Sequence, residues 1–375
     1  MNYPIQNNKF ALVSLGLLMH KSAIFLFCFA LTVSQSLHAQ VLKYSNEFLS
    51  IGVGSRALGM GQAVAASTDD VSSGYWNPAG LGRLKSPLQA TFMHSEYFAG
   101  IAKYDYGAVA KTIDSSSAFA FSIVRFGVDD IPNTINLINS NGQIDYSKIT
   151  RFSAQDYGFF LSYGRKLKIK GLQVGGSFKI VRRTIGDFAG SWGVGLDGGL
   201  QYQKNNWQFG FMGRDISTTI NAWSYNLDER TKEVFTQTGN EIPVNSTEIT
   251  APKLVFAAGR SFHFKKFSAY LEANANVTTD GYRNTLIKSK TVSVDPQVGL
   301  ELSYSDIVRV RGGINNIQEV RDNGQKEMVV QPNFGLGVRI FNVYLDYALT
   351  NVGETTGLLS HVFSLKFHFQ PKQVK

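Results

Sequence analysis

The chain has little cysteine, little charge and no long apolar run beyond its amino terminus. Its single cysteine, Cys28, lies within the first 39 residues, so the rest of the chain can form no internal disulfide. Asp, Glu, Lys and Arg make up 17% of the 375 residues, against roughly 25% in soluble domains. No later stretch has the roughly 18 apolar residues that a spanning helix needs, which excludes a helical membrane protein.

What the amino terminus does contain is the pattern of a secretory signal peptide over residues 1–39. Lys21 gives a positive region, residues 22–33 are apolar, and Ala39 ends a plausible cleavage site. Such a segment directs export and is removed from the mature protein. Because Met19 is a natural start, we interpret residues 1–18 as an upstream extension.

Residues 40–87 contain a stretch rich in Gly, Ala and Ser, IGVGSRALGMGQAVAASTDDVSSGYWNPAGLGRL, in which apolar and polar residues do not alternate. Asp70 and the two residues before it offer N-cap oxygens for a short helix over 71–75. Asn77-Pro78 would end that helix, and Gly80 would permit a tight turn into the first strand. We interpret the segment as a plug; the alternative is a surface loop and helix on a soluble domain.

Residues 88–370 form a series of alternating segments of about ten residues, the length of a tilted membrane-crossing strand. Over 267–277, for example, Phe267 and Leu271 share one face while Glu272 and Asn274 share the other. A period of two predicts strands with one apolar and one polar face. The fourteen predicted strands are Leu88–Phe98, Ile101–Thr112, Ser117–Phe126, Asp156–Leu167, Leu172–Arg183, Trp192–Gln203, Trp207–Asp215, Pro252–Ser261, Phe267–Val277, Asp295–Tyr304, Ile307–Asn315, Gln331–Ile340, Phe341–Thr350 and Ser360–Phe369.

The lengths of the connections separate a barrel from a soluble sandwich, which would share the alternation. Short connections such as Lys168–Gly171 alternate with long ones, namely Gly127–Gln155, Ile216–Ala251 and Thr278–Val294. Barrels with short periplasmic turns and long extracellular loops have this arrangement. The sequence therefore predicts an all-β membrane protein: a fourteen-stranded antiparallel transmembrane β-barrel of the outer membrane with a short amino-terminal plug.

No motif in the chain points strongly to catalysis, a metal or a cofactor. Gly52-x-Gly54 lacks the strand–turn–helix unit of a dinucleotide loop, and Asp69-Asp70 lacks a ladder of calcium-ligating oxygens. His94 and Ser95 point to opposite faces of a strand, so they cannot act together, although a distant His–Ser pair stays open. We expect no enzyme, no catalytic or metal residues, no cofactor and no nucleic-acid partner.

Strand parity also predicts charges inside the barrel. One interpretation is a lumen closed by ion pairs and plug contacts, and the other is a path for a solute. The first is favoured over a hydrophobic conduit, which would need an apolar lining. The charges expected inside are Lys103, Asp105, Lys179, Asp197, Glu272, Glu301, Arg309, Arg311, Arg339, Asp346, Lys366 and His368.

Four stretches carry a resemblance to a known family. They are SRALGMGQAVAASTDDVSSGYWNPAGLG, HSEYFAGIAKYDYGAVAK, RFGVDDIPNT and YLDYALTNVGETTGLLSHVFSLKFHF. Together they resemble the PorV/PorQ family of Bacteroidetes-type bacteria, which is itself similar to FadL-type barrels. The resemblance implies a non-enzymatic barrel of the type IX secretion system that carries or docks secreted cargo. The alternative is a FadL-like passive transporter of hydrophobic small molecules.

The resemblance also implies partners and candidate sites. The partners would be type IX translocon and attachment-complex proteins and the carboxy-terminal domains of secreted cargo, besides outer-membrane lipid and lipopolysaccharide. Asn77-Pro78-Ala79 matches a motif that lies in the plug of FadL-type barrels. The residues expected to anchor the plug to the wall are Arg56, Asn77, Pro78, Ala79 and Gly80. Independently of the resemblance, we expect the aromatic residues Trp223, Tyr225 and Phe235 to be exposed on a partner-binding loop, because such residues anchor interfaces; the alternative is packing of loop on loop.

Overall fold

The computed structural model describes residues 45–138, 141–322, 325–351 and 359–370, with the side chains of 320–325 left aside. The predicted signal peptide lies outside these ranges, as does the start of the predicted plug. No helix within them is long and apolar enough to cross a membrane.

Antiparallel pairing between neighbours organises the strands into one closed sheet, because the first strand pairs with the last as well as with the second. Of the seventeen strand segments within the described residues, β8 and β9 extend the wall outward from β7 and β10, and β12 has two residues, which leaves fourteen wall strands. The strands are β1 (Leu88–Tyr97), β2 (Ala102–Thr112), β3 (Ser117–Asn133), β4 (Thr150–Lys166), β5 (Leu172–Ile185), β6 (Ala189–Lys204), β7 (Trp207–Arg214), β8 (Thr219–Tyr225), β9 (Ser246–Thr250), β10 (Lys253–Phe264), β11 (Phe267–Thr278), β12 (Ile287–Lys288), β13 (Ser293–Tyr304), β14 (Val308–Asp322), β15 (Gln325–Ile340), β16 (Val343–Thr350) and β17 (Ser360–Phe369).

The fourteen-stranded barrel predicted from the sequence is confirmed, but several strands run further than the alternation indicated. β3 continues to Asn133 and β4 begins at Thr150, so their hairpin extends beyond the expected membrane span. Outside the membrane a strand is surrounded by water and does not need an apolar face. Backbone hydrogen bonds to the neighbouring strand are enough to continue the pairing there. The long loops therefore contain structure that the apolar pattern did not reveal.

The loop between β8 and β9 contains the helix Glu229–Gln237. Asp228 caps this helix, because its Oδ1 accepts a hydrogen bond from the Thr231 backbone N–H at 2.8 Å. Hydrogen bonds from the Thr231 side chain and backbone lower the pKa of the Asp228 carboxyl below its ordinary value. Cap oxygens of this kind satisfy donors that the first helical turn leaves open.

Burial follows the predicted alternation on β11, with apolar side chains outward and polar ones inward. Phe267 is 62% exposed, whereas Glu272 is fully buried in the lumen. Outward apolar and inward polar faces are what a transmembrane barrel requires. The largest apolar core lies inside the barrel, where the plug packs on β1–β4, and it includes Tyr75, Tyr97 and Tyr104.

The inward positions expected on β2 are wrong by one residue. Tyr104 and Tyr106 are the buried side chains, and Lys103 and Asp105 lie on the outer face. The segment Lys103–Tyr106 alternates charged and aromatic residues, so parity alone permits either face inward. Contact with the plug decides between them, because the Tyr106 ring packs against Tyr75, with centroids 6.4 Å apart.

Candidate functional site

The plug helix Ser55–Gly59 lies between two cavities of the lumen. The outer cavity, at the ends of the strands that carry the long loops, has a volume of about 470 Å³ and includes Ile51 and Gln62 in its lining. The inner cavity, near the short turns, has a volume of about 300 Å³ and includes Arg56. Five helical residues and their flanks therefore form the partition between the two mouths of the barrel.

Hydrogen bonds and close backbone contact hold this helix against the wall. The Ser55 backbone N–H donates to Ser364 Oγ at 2.9 Å, and Ser55 Oγ donates to the Val362 carbonyl at 3.0 Å. A Cβ atom on Gly59 would lie 2.8 Å from the Cα of Gly335, so no larger residue fits where the two backbones meet. The partition is thus closely fitted to β15 and β17.

A network of ion pairs crosses the lumen beside the helix. Arg56 Nε lies 3.2 Å from Glu301 Oε2, and Arg311 Nε lies 2.6 Å from the same oxygen. Arg311 also reaches Asp346 with Nη1, at 2.6 Å, and its side chain is 1% exposed. One plug cation and three wall charges therefore share a buried network, which stays favourable only while every member keeps its partners.

A second ion pair joins plug and wall, between Asp70 of the plug and Lys366 on β17. Within the wall, Lys179 lies 2.8 Å from Asp197 and 2.6 Å from Asp215. The ion pairs and plug contacts expected from the inward charges are therefore present at these positions.

The start of the second plug helix and the turn after it were predicted incorrectly. The helix spans Ser73–Trp76 rather than 71–75, and its N-cap makes no side-chain hydrogen bond. Asp70 instead accepts hydrogen bonds from the N–H and hydroxyl of Ser72, a local turn that competes with helix formation. After Asn77 the chain forms a 3₁₀ helix, Pro78–Arg83, where we expected a tight turn.

Asn77 makes more contacts across the plug and wall than its place in a helix-ending dipeptide indicated. Its Nδ2 donates to the carbonyls of Ala65 at 2.9 Å, Leu200 at 3.1 Å and Phe211 at 3.3 Å. Its Oδ1 accepts from the Ala79 backbone N–H at 3.2 Å and so caps the following 3₁₀ helix. One fully buried amide thus connects plug to plug and plug to wall.

The rest of this motif fits against glycines of the wall. A Cβ atom on Gly175 would lie 2.3 Å from the Pro78 carbonyl carbon, and one on Gly164 would lie 2.2 Å from the Pro78 oxygen. Ala79 is fully buried, and a Cβ atom on Gly80 would lie 2.2 Å from the Thr68 carbonyl oxygen. These spacings leave no room for any side chain at the glycines.

Trp223, Tyr225 and Phe235 are half-buried, where we expected exposure. Trp223 Nε1 donates to Glu248 Oε2 at 2.9 Å, and the Arg183 guanidinium lies 5.1 Å from the indole centre. Tyr225 stacks on Trp223, and Phe235 lies on the loop helix. The contacts resemble packing of loop on wall; a role in binding a partner stays a prediction.

A group of ionisable residues on the outer face of β1–β3 is the feature that strand parity missed. His94 Nδ1 lies 2.7 Å from Asp105, and Arg125 Nη1 lies 3.1 Å from the other oxygen of the same carboxylate. The three residues occupy directly paired positions on neighbouring strands. The sequence signals this group through Tyr104 and Tyr106 on β2. Their rings point into the lumen, so the residues that alternate with them, Lys103 and Asp105, lie on the outer face.

Comparison with sequences gives no relative: no protein-family model matches the chain, and no curated protein matches it. The resemblance to the PorV/PorQ family therefore has no support from sequence comparison.

Comparison with solved structures gives a clear fold. The CymD monoaromatic hydrocarbon channel is 12% identical, with a TM-score of 0.55, and the match covers 86% of this chain and 98% of that one. The Pseudomonas putida toluene transporter TodX is 12% identical, with a TM-score of 0.54 and coverage of 88% and 100%. A Pseudomonas aeruginosa FadL homologue is 11% identical, with a TM-score of 0.52 and coverage of 85% and 98%.

The fold and the plug together define the class: a plugged, fourteen-stranded β-barrel of the bacterial outer membrane. Within that class the chain has the FadL-like fold. These solved neighbours are described as a channel, a transporter and a FadL homologue.

Proposed function

We propose that the protein is a conduit for small molecules across the outer membrane, closed at rest by its plug. The observation that carries the proposal is the position of the helix Ser55–Gly59, with one cavity on each side. A partition held by side-chain ion pairs and hydrogen bonds can shift when a solute competes for those contacts. Solved proteins of the same fold are described as a hydrocarbon channel and a toluene transporter, which supports a transport role.

The chemistry of the two cavities bears on the class of solute. The inner cavity is lined by charged groups that include Asp69, Arg83 and Glu301. The outer cavity is lined mainly by amide, hydroxyl and charged side chains. Sites for apolar ligands are lined mostly by hydrophobic and aromatic side chains. Both cavities therefore fit a polar solute better than a hydrophobic small molecule.

Proteoliposome swelling would test the conduit. We expect slow entry of amino-acid-sized solutes through the wild-type protein, and faster entry through Arg56→Ala, which removes the link between the helix and Glu301. The matched control is Lys232→Ala, which removes an exposed pair with Glu229 on the loop helix and should leave the rate unchanged. Swelling no faster than empty liposomes for both wild type and Arg56→Ala would refute the conduit. Uptake of labelled toluene by intact cells would test the hydrophobic solute separately.

The second candidate is docking or carrying of cargo in type IX secretion, and one observation favours it. On the outer face of β2, Lys111 and Asp105 are separated only by Val109 and Gly107. The six residue steps from Asp105 to Lys111 cover about 20 Å of strand, which is about 15 Å of membrane height at a tilt near 40°. The apolar band of a transmembrane barrel is about 25 Å tall, so the uncharged stretch between these two residues is too short to cross it. A neighbouring protein would cover these charges better than acyl chains.

The opposite wall has no such interruption. On β13 four successive outward side chains are apolar and exposed: Val298, Leu300, Leu302 and Tyr304. Under this second candidate, translocon or attachment-complex proteins would cover β1–β3, and the carboxy-terminal domains of cargo would bind at the loops. Gene deletion separates the two candidates. Loss of secreted proteins from the cell surface with normal solute uptake would favour docking, and the reverse would favour the conduit.

A further inference from the structure

The outer cavity has the position and size of a binding site. Its floor is formed by plug residues that include Ile51 and Gln62, and its walls by the outer ends of strands between β10 and β16. Its volume of about 470 Å³ falls within the range of small-molecule sites, about 300–1,000 Å³. A solute from outside the cell would meet this cavity before it reached the plug helix.

Side-chain amides dominate the polar lining. An amide offers two donors and an acceptor, so it can bind either the N–H or the C=O of another amide. The lining includes the amides of Gln62, Asn276, Gln297, Asn315, Gln318 and Gln331. Such a surface suits a ligand that contains peptide groups.

Two groups of opposite charge in the cavity lack complete partners. The Lys253 ammonium forms no ion pair or hydrogen bond with any residue in the described ranges. Asp295 Oδ1 is buried and has no hydrogen-bond partner within those ranges, although the Asn276 side chain, the Ile317 backbone N–H and the Lys253 charge all act on its carboxylate. The other charged pair of the lining, Glu47 and Arg283, is joined at 3.0 Å. Lys253 and Asp295 are both half-buried, and a charge taken partly out of water without a direct ion-pair partner is costly, so these two groups point to a ligand that supplies such partners.

The spacing of these two groups sets the length of the ligand. β11 lies between the strands of Lys253 and Asp295, so the two positions are two strand spacings, or about 10 Å, apart across the sheet and two residues, or about 7 Å, apart along it. Both side chains point inward and shorten that gap. A chain of two extended residues spans about 7 Å. A free dipeptide therefore matches both the separation and the charges.

We infer that the outer cavity binds a short zwitterionic peptide of dipeptide size. Its carboxylate pairs with Lys253, its ammonium with Asp295, and its peptide group with the surrounding amides. The inference rests on the proposed function in one respect: the dipeptide would be the solute that the conduit carries. Binding of the dipeptide in the outer cavity does not itself require transport. A neutral sugar would satisfy the amides but would supply no charge to either residue.

Calorimetry on the full chain in detergent would test the inference on the wild-type protein first. The probes are dialanine, dialanine blocked at both ends, maltose and toluene. We expect dialanine to bind and the blocked form to bind at least about tenfold more weakly, because it carries neither charge. Equal affinity for free and blocked dialanine, or binding of maltose or toluene in place of dialanine, would overturn the assignment.

Two substitutions locate the site. Lys253→Met and Asp295→Asn should each weaken dialanine binding by at least about tenfold, and Lys232→Ala on the loop helix should not. Heat-modifiable migration on gels would show that each variant forms the barrel. If either variant misfolds, the comparison of free and blocked dialanine still decides.

Failure of this inference and failure of the conduit have different readouts. Dialanine that binds through Lys253 but causes no liposome swelling would preserve the site and refute the conduit. Dialanine that causes swelling equally in wild type and Lys253→Met would preserve the conduit and refute the site.

Discussion

Arg56 of the plug and Arg311 of the wall share one carboxylate oxygen of Glu301, at 3.2 Å and 2.6 Å. Because both guanidinium groups contact the same Glu301 oxygen, moving or removing one of the two arginines changes the electrostatic environment of the other. The position of the plug helix is therefore linked to the charges of the wall. Arg311 is the more deeply buried of the two and also holds Asp346. The relationship explains why a five-residue helix can form a stable partition.

Arg311→Met should destabilise the barrel by about 3–5 kcal/mol, because it leaves the Glu301 and Asp346 carboxylates in the lumen with one cation fewer. The measurement is urea unfolding in detergent or lipid, followed by heat-modifiable migration. The double replacement that adds Asp346→Asn should recover much of the loss, since Glu301 still pairs with Arg56 and the Asp346 charge is removed. A double variant no more stable than Arg311→Met alone would contradict this account.

Asn77→Ala should loosen the plug and raise the leak of small dyes. The change removes one amide that donates to Ala65, Leu200 and Phe211, and each carbonyl left unpaired costs about 1–3 kcal/mol if water cannot reach it. Dye efflux from loaded proteoliposomes measures the leak. Combination with replacement of Pro78 should increase it further. Unchanged efflux would mean that other contacts seal the lumen.

Gly175→Ala should displace the plug, whereas Gly176→Ala should have little effect. A Cβ atom at 175 would lie 2.3 Å from the Pro78 carbonyl carbon, inside the lumen. A Cβ atom at 176 would come no closer than 3.5 Å to the Asp197 carbonyl oxygen, so this neighbouring glycine is a matched control. Limited proteolysis from the side of the short turns would report displacement. Equal protection of residues 51–84 in both variants would contradict the close fit.

The joint change Asp105→Leu and Arg125→Leu should distinguish a lipid-covered wall from a protein-covered one. The leucines make the outer face of β2 and β3 more apolar, so the isolated barrel should become more stable in lipid, where an arginine near the midplane costs about 2–4 kcal/mol and an acidic residue costs less. If a partner covers this wall, its complex should be lost on native gels while the barrel stays folded. A complex that persists unchanged would place the partner elsewhere.

Alternation along the strands was enough to predict most of the barrel wall. On β11 the inward and outward residues lie as expected, because lipid on one side and a polar lumen on the other give every position a distinct solvent. The same rule failed on β2, where Lys103–Tyr106 alternates charges with tyrosines. There the plug supplies an apolar surface inside the lumen, so the period of two was right and its phase was wrong.

The candidate site was only partly predictable for a related reason. The signals for Arg56 and Asn77 lie in the sequence as an unusual charge and a helix-ending dipeptide. Their partners Glu301, Leu200 and Phe211 are more than 100 residues away, and no local pattern pairs them. The outer cavity was missed altogether, because the amides that line it come from many different strands.

By itself, the sequence determined the class of fold, the number of strands and the existence of a plug, because each depends on periodicity, connection length or composition. Tertiary structure alone decided which face of β2 enters the lumen, which glycines admit the plug, and which charges are left without partners. Those outcomes depend on contacts between distant segments, where the fit of two surfaces overrides local preference. The two mouths of the lumen and the helix that divides them belong to that second group.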